Sequence, residues 1–343
     1  MRKLLNVLYV TTSDSYLSLE NNNVVISVEN KKKIMVPIHN LESIVCFGYL
    51  GVSPALMGFC AENGVGLCFL NQYGKFLARV TGPVYGNVLL RKEQYRVSLE
   101  ESECVDIAIN CIIGKLINTR TVIERAIRDY GERINVFKLK KVSMLIKNSI
   151  NALKESRSLE EIRGIEGDCA KIYFEIFNKL IVKQKKSFYM NGRNKRPPMD
   201  NMNALLSFLY TILSNDIKFA LETVGLDPYV GFLHKDRPGR VSLALDIMEE
   251  FRAFFVDRIA LSLINRKQIT EKGFIKKESG GIIMDDDTKK IVLTAWQNRK
   301  QDDITHPFLN EKVKIGLLPY IQSLLFSRFL RGDIDAYPPF LWR

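Results

Sequence analysis

The sequence predicts an α+β fold, in which a small N-terminal β-rich domain precedes a larger all-α-helical domain. Up to about residue 90, short β-branched and aromatic runs alternate with Asn, Ser, Gly and Lys turns, a pattern typical of short strands. After Pro83 the apolar residues follow helical spacing through long segments that contain few Gly or Pro residues. We therefore predict two domains, 1–90 and 91–343.

The first domain is predicted to be a set of short strands interrupted by one helix. The helix covers 53–63, because it opens with Ser53 and Pro54 and closes before Gly64, which are common signals at helix ends. The predicted strands are 5–10, 16–19, 23–28, 33–38 and 66–70.

The second domain is predicted to consist of helices with recognisable ends. Ser158 and Glu161 have the spacing of a capping box that opens a short helix, and Gly164 and Gly167 bracket the entry to the next one. Ser242 is the predicted N-cap of a later helix. The other predicted elements are helices at 88–98, from 104 onward, at 200–224, 242–265 and 312–330, and a hairpin or loop at 272–293.

Composition argues against several classes of protein. The 343-residue chain is 46% hydrophobic, enough for substantial cores, but we find no uncharged run long enough to span a bilayer and no signal-cleavage pattern. The six cysteines lack CxxC spacing, which favours reduced thiols over a zinc site. Without a P-loop motif, nucleotide hydrolysis is not indicated. We expect a soluble, cytoplasmic protein with no membrane association.

The charge distribution points to a polyanionic partner. The formal net charge is +12, and the segment 179–196 contains seven basic residues and no acid, with Phe188 and Tyr189 among them. Such clustering favours phosphate binding, although a merely solvated basic face is the alternative.

Carboxylates interrupt apolar helical faces at two places. Glu166 shares its predicted face with the residues at i+4, i+7, i+8 and i+11, which are Ala170, Tyr173, Phe174 and Phe177. Glu249 interrupts a second inward-facing row, whose apolar members are Leu245, Val256, Ile259 and Leu263. Asp246 precedes Glu249 by three residues, which places both acids on one side of the helix.

Buried ionised carboxylates need a compensating cation, because their desolvation costs several kcal/mol. A buried ion pair, with Arg252, Arg240 or Lys171 as the cation, is one explanation. His234 favours a second explanation, since the turn that follows it lets its imidazole face the helix that carries Glu249. Oxygen donors with one imidazole suit Mg²⁺ or Mn²⁺, and such an ion beside phosphate-binding cations suggests phosphodiester chemistry.

Five segments combine these residues with others in a characteristic order and spacing: 114–120, 164–174, 193–206 with Tyr210, 231–234 and 242–249. Together they resemble the CRISPR adaptation integrase family, the nuclease subunit that inserts new spacers into CRISPR arrays. The closing segment, 332–340, is similar to the subtype I-C branch of that family.

The resemblance implies an N-terminal β-domain that dimerises and a C-terminal α-helical catalytic domain that holds the metal site. By position, Glu166, His234 and Glu249 match the family's metal ligands, with Mg²⁺ or Mn²⁺ as the ion, and Asp246 matches an additional acidic catalytic position. The resemblance also implies a homodimer that associates with DNA and with a small CRISPR-associated adaptation partner protein.

The implied reaction is a transesterification, in which the 3′-hydroxyl of a spacer precursor fragment attacks a phosphodiester at the CRISPR repeat boundary. The residues expected to clamp DNA phosphates are Arg193, Lys195, Arg196, Arg237 and Arg240. Two alternatives stay open from the sequence. One is a structure-specific DNA repair nuclease, and the other is a non-catalytic, basic nucleic-acid-binding scaffold whose buried acids only form ion pairs.

Overall fold

The chain forms two compact units in the computed structural model, which describes residues 5–12, 14–29, 31–48, 50–71, 76–82, 87–194 and 197–342. The first unit contains the described residues within Met1–Gly86, with Asp286–Asp302 and Lys314–Leu317. The second contains the described residues within Asn87–Asp285, Asp303–Val313 and Leu318–Arg343. A β-rich region followed by a helical region confirms the predicted fold class.

The strands of the first unit build two sheets. Its elements are β1 (Asn6–Val10), β2 (Ser15–Glu20), β3 (Asn23–Val28), β4 (Lys31–Pro37), β5 (Leu41–Phe47), β6 (Gly51–Val52), α1 (Pro54–Glu62), β7 (Gly66–Leu70) and β8 (Phe76–Val80). Within the described residues the strand orders are β1-β5-β7-β8 and β4-β3-β2-β6. Strand β5 pairs in parallel with β1 and β7. It is an inner strand, which explains its nearly continuous apolar sequence.

Both sheets contribute to one apolar core. Leu17 and Val24 come from one sheet, Ile44 and Leu67 from the other, and Leu56 from α1. The side chain of Ser53 accepts a hydrogen bond from the backbone N–H of Leu56, which confirms the predicted start of this helix.

The second unit is mainly helical. Its elements begin with α2 (Val88–Leu99), α3 (Glu101–Tyr130), α4 (Val136–Lys154), α5 (Leu159–Phe177), α6 (Asn201–Thr223), α7 (Ser242–Met248), α8 (Arg258–Asn265), β9 (Phe274–Lys276) and β10 (Ile282–Met284). The elements that follow along the chain are α9 (Asp286–Lys300), β11 (Asp303–Thr305), β12 (Lys312–Lys314) and α10 (Leu318–Leu330).

Helix α9 belongs to the first unit, although it follows most of the second unit in sequence. It contacts β1, where the side chain of Gln297 donates a hydrogen bond to the carbonyl oxygen of Val7 at 3.4 Å. Trp296 of this helix is fully buried. The predicted loop at 272–293 is therefore correct for the β9–β10 hairpin but wrong beyond it, where α9 begins at Asp286.

Three predicted helix boundaries are wrong. The predicted helix 312–330 begins only at Leu318, after β12 and a 3-10 turn at Ile315–Leu317. Helix α5 continues through Gly164 and Gly167, so it is one helix opened by the cap of Ser158 and not two. Ser242 is the first residue of α7, and Val241 occupies the N-cap position. Ser242 instead donates its hydroxyl to the carbonyl oxygen of Lys235, a contact that the sequence pattern could not reveal.

Helix α6 has the length and composition that a membrane span would need, although its uncharged stretch ends at Asp216. Among the described helices it alone is long and apolar enough by length and composition. However, 61% of its most apolar window is buried within the protein, as in the core helix of a soluble domain.

The predicted helix 242–265 is interrupted in its middle. After α7, the backbone N–H groups of Glu249, Glu250 and Phe251 donate to residues three positions earlier, at 3.0–3.3 Å. The chain then forms a π-helical segment, Arg252–Asp257, before α8 begins. Departures of this kind from α-helical hydrogen bonding often occur at functional sites.

Candidate metal centre

The second unit brings together the four acidic and imidazole side chains singled out from the sequence. Helix α5 carries Glu166, the loop before α7 carries His234, and α7 carries Asp246. Glu249 lies where α7 ends and the hydrogen bonding becomes irregular.

Asp246 holds the loop that carries His234. One carboxylate oxygen accepts the backbone N–H groups of Phe232 at 2.7 Å and Leu233 at 3.1 Å. The other accepts the backbone N–H of His234 at 3.1 Å. These three backbone donors tie the loop to the fully buried side chain of Asp246.

Gly231 allows this loop to approach α7 closely. A Cβ atom at this position would lie 2.7 Å from the backbone of Ser242 and 2.9 Å from the carboxylate of Asp246. Real Cβ atoms essentially never approach so closely, so only glycine fits here.

The orientation of the His234 imidazole is fixed by Asp246. Nδ1 lies 2.6 Å from a carboxylate oxygen of Asp246, so the shared hydrogen bond assigns the proton to Nδ1. In the neutral ring the lone pair is then on Nε2, which lies 4.0 Å from a carboxylate oxygen of Glu249. Histidines that bind a metal through one ring nitrogen typically donate the N–H of the other nitrogen to a carboxylate in this way.

Two cations hold the glutamates. The ammonium group of Lys115, on α3, contacts Glu166 and lies 2.8 Å from Glu249. The guanidinium of Arg252 lies 3.0 Å from the other carboxylate oxygen of Glu249. Burial alone would raise the pKa of Glu249, but Arg252 and Lys115 lower it to about 2. Burial would likewise lower the pKa of Lys115, but Glu249 and Glu166 raise it above its usual value.

The oxygen and nitrogen donors fit a hard divalent cation. Glu249 Oε2 is buried and accepts no hydrogen bond from any described residue, so one of its lone pairs is available. Although Lys115 Nζ is close, we regard this as an ion pair without hydrogen-bond alignment. In the part of the chain that the structure describes, no group of three acidic, histidine or cysteine side chains is arranged closely enough to hold a metal ion without rearrangement. The Lys115 ammonium lies between the two glutamates instead.

Lys115 was not predicted from the sequence as a site residue. The candidates named for a buried ion pair were Arg252, which does contact Glu249, and Arg240 or Lys171. The missed signal is a lysine within a strongly apolar stretch of α3, with Ile112 and Leu116 buried beside it. A buried lysine requires a partner, and buried glutamates elsewhere in the chain are its natural partners.

The five basic residues predicted to clamp DNA phosphates differ in how accessible they are to DNA. The Arg193 guanidinium is turned inward, donating to the side chain of Asn203 at 2.7 Å and to the carbonyl oxygen of Asn194 at 2.6 Å. Arg237 is exposed and Arg240 half-buried, in the turn that follows His234. Lys195 and Arg196 lie outside the described residues.

Replacing Lys115 with Met should lower the free energy of unfolding of the metal-free protein by about 3 kcal/mol, because two acids lose their shared cation. Added Mn²⁺ should then raise the unfolding temperature more in the variant than in the wild type, since no ammonium competes with it. Thermal unfolding with EDTA or Mn²⁺ measures both effects, with Lys147→Met, an exposed lysine of α4, as control. An equal Mn²⁺ response in both proteins would contradict this role.

Comparison with known proteins identifies the family. A family model described as CRISPR associated protein Cas1 matches residues 8–298. The chain belongs to the Cas1 family. A curated relative from Chlorobaculum tepidum, a CRISPR-associated endonuclease Cas1, is 49% identical over 343 residues and is matched along the full length of both chains. Membership confirms the family resemblance, while subtype I-C stays a prediction.

Solved structures show that the Cas1 fold extends over the whole chain. A casposase bound to its integration product matches with a TM-score of 0.85 at 20% identity, covering 99% of this chain and 95% of that one. A Cas6-RT-Cas1–Cas2 complex matches with a TM-score of 0.83 at 20% identity, covering 100% of this chain and 36% of the other. Nucleases of the Cas1 family generally depend on a divalent metal.

Proposed function

We propose that this Cas1-family protein joins spacer precursor DNA to a CRISPR repeat by metal-dependent transesterification. Its family and its endonuclease relative make it a DNA endonuclease/integrase of CRISPR adaptation. The observation that carries the proposed mechanism is the convergence of Glu166, Glu249 and the free Nε2 of His234. A 3′-hydroxyl attacks the phosphorus at the repeat boundary while the existing 3′-oxygen leaves. One phosphodiester replaces another, so the step needs no ATP.

Glu166, His234 and Glu249 are the proposed holders of a Mg²⁺ or Mn²⁺ ion. When bound, such an ion stabilises negative charge on the phosphoryl oxygens. Asp246 is a positioning residue in this mechanism, because its carboxylate is occupied by three backbone N–H groups and by the imidazole.

Arg252 and Lys115 keep Glu249 ionised while no metal is bound. With a pKa of about 2, this carboxylate is ionised at neutral pH despite complete burial. It therefore releases no proton when a cation binds, which removes one cost of metal binding.

DNA and a second protein are the proposed partners. The net charge of +12 favours a polyanion. Exposed Arg237 and half-buried Arg240 remain the strongest of the proposed phosphate clamps, whereas the internal bonds of Arg193 favour a structural role. Lys195 and Arg196 stay in the proposal on sequence grounds. The Cas1–Cas2 complex among the structural neighbours supports a small adaptation partner. We also propose a homodimer, using an exposed strand edge of the first unit, and a cytoplasmic location.

A joining assay distinguishes this function from its alternatives. Purified protein, its small partner, a short duplex and a repeat-bearing plasmid should give covalently joined DNA with Mn²⁺ and none with EDTA. A duplex ending in 3′-deoxy nucleotides should not be joined, because the attacking hydroxyl is missing. Metal-dependent cutting without joined product would favour a repair nuclease. DNA binding without either reaction would favour the scaffold.

A further inference from the structure

The C-terminal segment 337–342 is packed into the second unit, although the proposed mechanism gives it no task. Tyr337, Phe340 and Trp342 are each at most 6% exposed. The ring of Phe340 stacks on Phe251, at a centroid separation of 5.8 Å. Trp342 lies between the guanidinium groups of two arginines, 4.5 and 4.4 Å from its ring centroid, which are Arg125 and Arg258.

Glu250 anchors this segment from the position next to Glu249. Its carboxylate is fully buried and accepts the hydroxyl of Tyr337 on one oxygen. The other oxygen accepts the backbone N–H of Phe340 at 2.7 Å and the side-chain amide of Gln322 at 2.8 Å. The same amide also donates to the Tyr337 hydroxyl at 2.9 Å, which closes the network.

Asn118 connects the network to α3. Its amide nitrogen donates to the carbonyl oxygen of Glu250 at 2.7 Å and to that of Phe340 at 2.8 Å. Its amide oxygen accepts the backbone N–H of Trp342 at 2.7 Å. Asn118 lies three residues after Lys115, so the helix that supplies the cation of the metal centre is bonded directly to the C-terminal segment.

His306 supports the network by binding Gln322, which lies on α10. Its Nδ1 accepts the backbone N–H of Leu309 at 3.2 Å, which assigns the ring proton to Nε2. Nε2 then donates to the side-chain oxygen of Gln322 at 3.0 Å, so the amide nitrogen of Gln322 is directed toward Glu250. The orientation of Gln322 is thus fixed from both sides.

Glu249 needs such support, because its own helix does not supply regular α-helical bonds there. The backbone N–H groups of Glu249, Glu250 and Phe251 donate to residues three positions earlier, and a π-helical segment follows. Tertiary contacts therefore add to the local bonds here: the carboxylate and the carbonyl oxygen of Glu250 accept hydrogen bonds from α3, α10 and the C-terminal segment.

We propose that residues 337–342 form a C-terminal strap, and that Glu250 and Tyr337 are positioning residues that hold Glu249 in place to bind the metal. This inference rests on the proposed function, since it concerns how the same site is assembled. Loss of one strap bond should leave the protein folded but let the Glu249 carboxylate move relative to Glu166. Metal affinity, and not only stability, should then fall.

The test is Mn²⁺ binding by isothermal titration calorimetry, at a temperature well below the unfolding transition of every protein compared. Tyr337→Phe keeps the ring that packs against Phe326 but removes the hydroxyl. It should weaken Mn²⁺ binding by about tenfold, which is the smaller effect expected when a residue that supports a metal ligand is lost. Tyr130→Phe, at the end of α3, is the matched control and should bind Mn²⁺ as the wild type does.

A second pair of variants separates positioning from folding. Glu250→Gln can accept from Gln322 and Phe340 and donate to Tyr337, so it should bind Mn²⁺ almost normally, whereas Glu250→Ala should bind more weakly than Tyr337→Phe. If Tyr337→Phe unfolds at a lower temperature but keeps wild-type Mn²⁺ affinity, the strap serves only folding and the inference is overturned. If the wild type itself binds no Mn²⁺, the proposed metal centre fails first.

Discussion

Replacing Glu166 with Ala should slow strand joining about a thousandfold and leave most DNA binding intact. The carboxylate lies on α5 across from Glu249, and it is the most accessible acid of the site, with a side chain 28% exposed. Losing a ligand worth about 4 kcal/mol of transition-state stabilisation slows the reaction about a thousandfold. DNA binding should persist, because the proposed phosphate contacts are basic residues and do not include Glu166.

The control for this substitution is Glu175→Ala, an exposed glutamate on the same helix, which should join DNA at the wild-type rate. Thermal unfolding must be measured alongside, since Lys115 keeps only Glu249 as its partner in Glu166→Ala. A folded Glu166→Ala protein that joins DNA as fast as the wild type would exclude Glu166 from the reaction.

Replacing Asp246 with Asn should lower joining about a hundredfold or more, the range seen when a residue that orients a functional histidine is neutralised. Asn offers one carbonyl oxygen where Asp offers two. Its amide group would therefore face backbone N–H donors of residues 232–234 or the imidazole Nδ1. The ring would lose the contact that leaves Nε2 as the lone-pair donor.

Asp246 and Glu166 should be distinguishable by metal concentration. Because Asp246 positions a ligand, a higher Mn²⁺ concentration should restore part of the joining rate in Asp246→Asn but none in Glu166→Ala. Asp236→Asn changes an exposed residue of the same loop and provides the control. Full activity of Asp246→Asn at low Mn²⁺ would show that His234 needs no such partner.

The acids and the histidine of the site could be predicted because each violates a local rule. Glu166 and Glu249 interrupt apolar helical faces, and such violations are visible in any window of the sequence. Lys115 and Glu166 are 51 residues apart, and nothing in either window specifies the pairing. A single sequence therefore indicates that a buried charge needs a partner but does not identify the partner.

Other misses have the same origin in tertiary structure. Residues 249–251 have ordinary helix-forming neighbours, so local propensity predicts a continuous helix. The structure has a break there, and the side chain of Glu250 bonds to residues far away in sequence. Arg193 belongs to a conspicuously basic segment, yet Asn203 and Asn194 hold it inside the unit. The number of basic residues in a segment can be read from the sequence, but whether each side chain faces the solvent or the protein interior cannot.

The placement of α9 has a consequence for how the protein is made. The first unit receives Trp296 and its neighbours only after the ribosome has synthesised the intervening 87–285. At about 10 residues per second, β1 waits roughly 20 seconds for the helix that covers it. During that interval the hydrogen bond from Gln297 to β1 cannot form. A fragment that stops near residue 90 would stay in this incomplete state permanently, which makes it a poor choice for producing the β-rich unit in isolation.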